Sequence, residues 1–206
     1  MQCIRKEQGF LGNLQKKRDA IIVGIWGVHS GAGVTTLAVS LANYMQGFLN
    51  KKTALYEYNQ KADFIKIYEC FYGDESEISE GKFTLKKVDY FLKGSTDIVK
   101  LSQENYDIVI VDFGYSFTAI GEFIRCHYKI VVGSQEPWYC RKYEEFCEKL
   151  SDYNESDLWV HILATDEHEI KRIRKAYRVK AIRRPYIDNA YVIDKSLIQF
   201  FSYFFE

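Results

Sequence analysis

Only two of the 206 residues are proline, and no repeat or low-complexity tract interrupts the chain. That excludes a proline-rich linker or a collagen-like fibre as its main content. Charge of one sign is missing too: 28 Lys and Arg balance 28 Asp and Glu. No global field draws such a chain to nucleic acid or to an anionic membrane, so any binding of that kind has to come from a local patch. The five cysteines, Cys3, Cys70, Cys126, Cys140 and Cys147, are odd in number, scattered and without C-x-x-C spacing. They suit separate thiols in a reducing compartment better than a disulfide framework. His127 beside Cys126, and His161 seven residues from His168, do not make a metal-ligand set. No apolar run is long enough to span a bilayer, and the opening MQCIRKEQGF lacks the apolar core of a signal peptide. A cytoplasmic protein is the expectation.

What the chain does have is apolar sequence in short blocks. Hydrophobic residues make up 47% and aromatics 16%, with 16 Tyr and 14 Phe, enough for one full-sized α/β core. Residues 1–20 read as a polar lead-in, with Gln15-Lys16-Lys17-Arg18 solvated at the surface, and 21–206 as a single domain. The organising stretch is IIVGIWGVHSGAGVTTLAVSLAN, from Ile21 to Asn43. Ile21 to Trp26 is β-branched and apolar, and reads as a buried strand ended by Gly27. From Val34 onward the spacing of Leu37, Leu41 and Tyr44 predicts a helix. A glycine loop between strand and helix is the layout of a phosphate-binding loop, because glycines let backbone N–H groups approach an anion and the helix N-terminus adds partial positive charge. Val28 to Thr35 has the spacing of G-x-x-x-x-G-K-[ST], with Gly33 and Thr35 in register. Val28 replaces the first glycine, although Gly27 adjoins it, and Val34 replaces the lysine.

Further strands are expected at Thr53–Tyr58, Tyr106–Asp112, Tyr128–Gly133, Leu158–Ala164 and Val179–Ile182. The continuous apolar runs among them suit parallel strands buried on both faces. Phe83–Leu92 reads as an edge strand or a hairpin, and the acidic stretch Gly73–Gly81 as surface loop. Helices are expected over Trp138–Leu150, Glu167–Tyr177 and Ile193–Phe205. Strands alternating with helices imply right-handed crossovers and a three-layer α/β/α domain around a mostly parallel sheet, a P-loop NTPase-like architecture.

The run HSGAGVTTLAVSLANYM resembles the KGGVGKTT loop and helix of the ParA/MinD-type P-loop ATPases, the deviant Walker A group. DFGYS resembles the D-x-G segment of its Tad pilus relatives, and VVGSQEPW resembles its post-switch strand. The resemblance runs from about Ile21 to the last helix. It implies that His29, Ser30, Gly31, Ala32, Gly33, Val34, Thr35 and Thr36 surround the phosphates of ATP or ADP, and that Thr35 and Asp112 hold Mg²⁺. Asp112 also reads, without the resemblance, as a carboxylate that caps its strand or bonds to the loop. The group's two lysines fall at His29, which would reach across a dimer, and at Val34, which would hold phosphate in cis. Its water-positioning aspartate falls at Asn59, and Glu57 keeps the first acidic position with one more methylene.

Loss of one charge-assisted phosphate contact costs roughly 1.5–3 kcal/mol, one to two decades of affinity. Groups that act on charge developing in the transition state are worth several decades each. The expectation is therefore a degenerate member: weak nucleotide binding at most, little or no hydrolysis, and a role in assembly, localisation or regulation. The resemblance further implies a homodimer and protein partners from a bacterial surface, pilus, conjugation or partition system, with recruitment to a membrane or pole. Two alternatives stand beside it. One is an active ATPase with a rebuilt cation, from His29 taking up a proton or from a lysine elsewhere; otherwise His29 is a solvated loop residue. The other is a DNA-binding partition protein using Lys171, Arg172, Arg174, Lys175, Arg178, Lys180, Arg183 and Arg184, which read more simply as a solvated face. The apolar tail Leu197–Phe205 reads as a helix packed on the sheet or on a partner rather than as a membrane-targeting helix.

Overall fold

The structure, a computed structural model, describes residues 19–73, 78–151, 153, 156 and 159–205. Most of the lead-in, the centre of the acidic stretch and Leu158 lie outside the described residues. Eight strands form one sheet: β1 (Ile21–Gly27), β2 (Thr53–Glu57), β3 (Lys82–Leu85), β4 (Val88–Phe91), β5 (Ile108–Asp112), β6 (Tyr128–Ser134), β7 (Val160–Ala164) and β8 (Lys180–Arg183). Their order is β3-β4-β2-β5-β1-β6-β7-β8, and every pairing is parallel except β3 with β4.

Alternation along the central strands sorts the core between two faces. Val23 and Ile25 of β1, with Ile108 and Ile110 of β5, join one cluster; Trp26, Val109 and Val111 join another. The first face is covered by α1 (Val34–Gly47), α2 (Asp63–Tyr72) and α7 (Lys195–Phe205). The second is covered by α3 (Ile98–Gln103), α4 (Ile120–Phe123) and α5 (Cys140–Leu150), with α6 (Glu167–Tyr177) packed beside α5. Sheet residues buried on both sides require continuous apolar runs, and the central strands have them. Trp26 anchors the second face, edge-on to Phe117, Phe123 and Phe146 at centroid distances of 4.7, 5.1 and 5.2 Å. The aromatic residues divide between surface and interior: Phe48, Trp138 and Tyr186 are exposed, and Tyr44, Tyr90 and Phe123 enter the core. Beside it His161 is fully buried, its Nδ1 2.7 Å from the Tyr143 hydroxyl, and burial lowers its pKa to about 3.

Three helices, α2, α3 and α4, fall outside the stretches expected to be helical. In α2 Phe64 is buried and Ile67 and Tyr68 pack partly against the same core, an i, i+3, i+4 stripe, and the helix starts after Ala62 at φ 53°. The α3 signal is shorter still, a single turn and a half whose start is set by the Asp97 carboxylate accepting from Lys100 N at 2.7 Å. The stretch 83–92 is resolved as a hairpin, closed by Lys86 and Lys87 at φ 49° and 67°. Positive φ at both turn residues is what a tight hairpin needs, but lysines do not announce it as Asn-Gly would.

The apolar tail folds back on the domain. Leu197 and Phe201 are buried, the Phe201 ring lies 5.2 Å from that of Tyr44 in α1, and the Tyr44 hydroxyl lies 3.2 Å from Ser202 Oγ. Among the described residues no helix is long and apolar enough to cross a membrane. Since Phe201 is enclosed in this contact, Phe201→Ala should destabilise the domain by about 3–5 kcal/mol in urea denaturation. A change below about 0.5 kcal/mol would mean that α7 is not part of the folded core.

Candidate functional site

The C-terminal ends of β1, β2 and β5 converge on the turn between β1 and α1, and the site is built there. Gly27 is still strand. A Cβ at that position would meet Val34 Cγ2 at 2.8 Å and the Gly114 carbonyl at 3.1 Å, so the glycine next to the expected one is required by packing. The loop begins tied on both sides, with Gly27 N donating to Gly114 O and Val28 N to Val132 O. It then turns through Gly31 at φ 78° and Gly33 at φ 94°, both in the left-handed region that favours glycine. Gly33 is the N-cap of α1. It offers no capping side chain, and the first turn has no acidic residue, so the helix N-terminus is left to bind an anion.

Residues 31–36 and His29 form one wall of a cleft of about 220 Å³, and Lys61, Asp63, Gly114 and Tyr115 form the other. Of the loop residues named from the sequence, all but Ser30 line this cleft. Val34, at the lysine position, is buried against Gly27.

Asp112 is completely buried and joins the walls. Its Oδ2 accepts from Thr35 Oγ1 at 2.6 Å, and its Oδ1 accepts from Gly114 N at 2.9 Å and from Asn59 Nδ2 at 2.9 Å. Burial raises its pKa and these three bonds oppose the rise. Of the two readings of Asp112, the loop-bonded one describes its contacts here, and the Thr35 hydroxyl stays adjacent to it as a metal site needs. Asn59 is engaged at both ends of its amide: Nδ2 donates to Asp112, and Oδ1 accepts from Lys61 N at 2.8 Å. Gly114, at φ 64°, makes room for it, since a Cβ there would lie 2.7 Å from Asn59 Cβ. Glu57 points elsewhere. Its Oε1 accepts from Asp63 N at 2.7 Å and Phe64 N at 3.4 Å, capping α2, and burial raises its pKa.

His29 is not a solvated loop residue. It is 4% exposed and stacked on Tyr139, with ring centroids 3.6 Å apart and planes 4° from parallel. Its Nδ1 lies 2.9 Å from the Ser30 carbonyl, which only accepts, so Nδ1 carries a hydrogen. Burial lowers its pKa, and Lys142 and Arg184 push the same way. The surroundings thus work against the alternative in which His29 takes up a proton, and its Nε2 is buried without a partner among the described residues.

Four residues near the loop escaped the sequence reading of the site: Lys61, Asp63, Tyr115 and Arg184. Lys61 Nζ lies 5.3 Å from the Tyr115 ring centroid, within cation–π range. The Arg184 guanidinium donates through Nη1 to the Ala32 carbonyl. The basic residues of 171–184 accordingly serve different ends. Arg172 pairs with Glu169 at 2.6 Å, Arg174 Nε donates to Ala181 O at 2.7 Å, and Arg184 goes to the loop.

A left-handed glycine loop between a central strand and an uncapped helix, with a threonine bonded to the carboxylate at the end of the neighbouring strand, defines a P-loop NTPase-type fold. No protein-family model and no curated protein matches the chain. Solved structures do. A plasmid partition protein of Borrelia burgdorferi B31 bound to AMPPNP is similar at 14% identity over 89% of this chain and 98% of its own, with a TM-score of 0.60. A chain of the MinC:MinD cell division complex of Aquifex aeolicus is 15% identical, with coverages of 81% and 82% and a TM-score of 0.59. FtsY from Mycoplasma mycoides is 17% identical, with coverages of 93% and 70% and a TM-score of 0.58. The chain has the fold of the ParA/MinD-type P-loop ATPases.

Two outcomes follow from the carboxylates. Glu57→Gln keeps an oxygen for the α2 N–H groups and removes a charge whose pKa burial has raised. The cost of burying that charge is present in full above the folded pKa and disappears as pH falls through it. The melting temperature of Glu57→Gln should therefore exceed that of the parent most at pH about 8 and converge with it toward pH about 4.5; a difference that grows on acidification would contradict this. Asn59→Asp places an acceptor against the Asp112 carboxylate and should cost about 1–3 kcal/mol at neutral pH by denaturant unfolding.

Proposed function

We propose that this protein is a degenerate ParA/MinD-like P-loop module of a bacterial cell: it binds a nucleoside di- or triphosphate weakly, hydrolyses it little or not at all, and works in assembly, localisation or regulation. The observation that carries the reading is the arrangement around Asp112. The position from which a carboxylate would orient water is held by Asn59, whose amide is already donating to Asp112, and the loop lysine is replaced by Val34 turned into the core. At these two positions there is thus neither a carboxylate base nor the lysine that phosphoryl transfer uses.

The cradle itself fits a phosphate. The positive φ of Gly31 and Gly33, the uncapped N-terminus of α1 and the cleft beside them are the features that bind one through backbone N–H groups. Thr35 and, next to it, Asp112 are the residues that would hold Mg²⁺, which when bound neutralises phosphate charge. His29, Ser30, Ala32, Val34 and Thr36 complete the loop. The reading includes a homodimer and protein partners of a surface, pilus, conjugation or partition system, with recruitment from the cytoplasm to a membrane or pole.

The test is calorimetric titration with Mg·ATP and Mg·ADP, followed by phosphate-release assays, on the parent and on Asp112→Ala checked for folding by circular dichroism. Saturable binding is expected that weakens about tenfold or more in the variant, in line with loss of a charge-assisted contact, with no measurable turnover in either. Turnover that collapses on Asp112→Ala would make the protein a working ATPase instead. Absence of binding at millimolar nucleotide would remove the ligand from the reading.

A further inference from the structure

Arg184 stands at the end of β8, 150 residues away from the loop in sequence, and is placed by two backbone features. Its N donates to Leu163 O of β7 at 2.8 Å, and Pro185 follows it. From there the side chain reaches the phosphate loop. Nη1 donates to the Ala32 carbonyl, and a Cβ at Gly33 would lie 2.6 Å from the same atom. The guanidinium thus lies directly against Gly33, whose φ of 94° is in the region that favours glycine. Ala32 and Gly33 are themselves walls of the cleft.

The environment of this cation is unusual. The side chain is half-buried, and burial alone lowers its pKa. None of the ion pairs among the described residues involves it. Of five N–H donors in a guanidinium, one hydrogen bond accounts for a single Nη1 hydrogen. A half-buried charge facing no carboxylate is costly unless an anion joins it. Other groups at the cleft have the same preference: the uncapped end of α1 carries partial positive charge, Lys61 lines the opposite wall, and His29 Nε2 is buried in the cleft wall without a partner among the described residues; the Asp63 carboxylate on the opposite wall is paired with Lys66.

We propose that Arg184 supplies, from outside the loop, the cis phosphate-binding cation that Val34 no longer provides. The ligand is the phosphate chain of a nucleoside di- or triphosphate, so the inference rests on the nucleotide-binding reading above and adds the residue that gives it charge.

The experiment titrates the full-length parent, Arg184→Gln, Arg184→Lys and the neighbouring control Arg183→Gln with Mg·ADP and with Mg·pyrophosphate, which lacks the nucleoside, at two salt concentrations. Thermal melting confirms that each variant is folded. Arg184→Gln should lose about tenfold or more for both ligands and show a flatter salt dependence than the parent, because one screened charge is gone. Arg184→Lys should recover part of the loss, and Arg183→Gln should match the parent. Equal binding by Arg184→Gln and the parent would overturn the inference and leave the nucleotide-binding reading standing. So would a loss with unchanged salt dependence, which marks a brace for the loop, or a loss for ADP without one for pyrophosphate, which marks a nucleoside contact. Failure of the parent to bind either ligand would overturn both.

Discussion

The Asp112 carboxylate is the point on which the site is built. One buried side chain accepts from Thr35 at the start of α1, from Gly114 at the turn after β5 and from Asn59 beyond β2, so three segments far apart in sequence share one acceptor. Burial opposes its charge, and the three donors oppose burial. Such a group is stable in place only while its partners are present. Gly27 and Gly114 are the spatial counterpart of that arrangement: a side chain at either would displace Val34 or Asn59, and with them the loop or its tie.

In the proposed reading the same arrangement separates binding from chemistry. Backbone N–H groups and a helix N-terminus are supplied by the fold itself and survive side-chain replacement. A positioned base and a loop lysine are single side chains, and here both are replaced: Asn59 donates toward Asp112, and Val34 contributes apolar surface to the core. His29 follows the same direction, since its stack on Tyr139 and its burial favour the neutral ring. The substitutions are mutually consistent. Asn59 suits an ionised Asp112 better than a second carboxylate would.

Positive charge nevertheless remains around the loop, at Lys61 and at Arg184, on segments unrelated to the loop's own sequence. Relocation of a charge to another element of a retained fold leaves the backbone cradle unchanged. It is also invisible to any comparison of loop residues alone.

The sequence by itself determined the parallel α/β architecture, the loop and the strand carrying Asp112, because continuous apolar runs, glycine spacing and helical periodicity are local patterns that reflect burial directly. It also identified Val34 and Asn59 as departures. Only the tertiary structure decided the state of His29, because burial by Tyr139 is set by the packing of α5 against the loop. It alone gave Glu57 the capping of α2, because the bonds from Asp63 N and Phe64 N depend on where the end of β2 meets the start of the helix. It also drew three of the eight basic residues of 171–184 to an ion pair, a strand carbonyl and the phosphate loop. Parallel sheet topology is the reason: it brings the ends of β1, β2, β5 and β8 to one edge of the sheet, and the separations of 77 residues between Thr35 and Asp112 and 152 between Ala32 and Arg184 have no trace in local sequence.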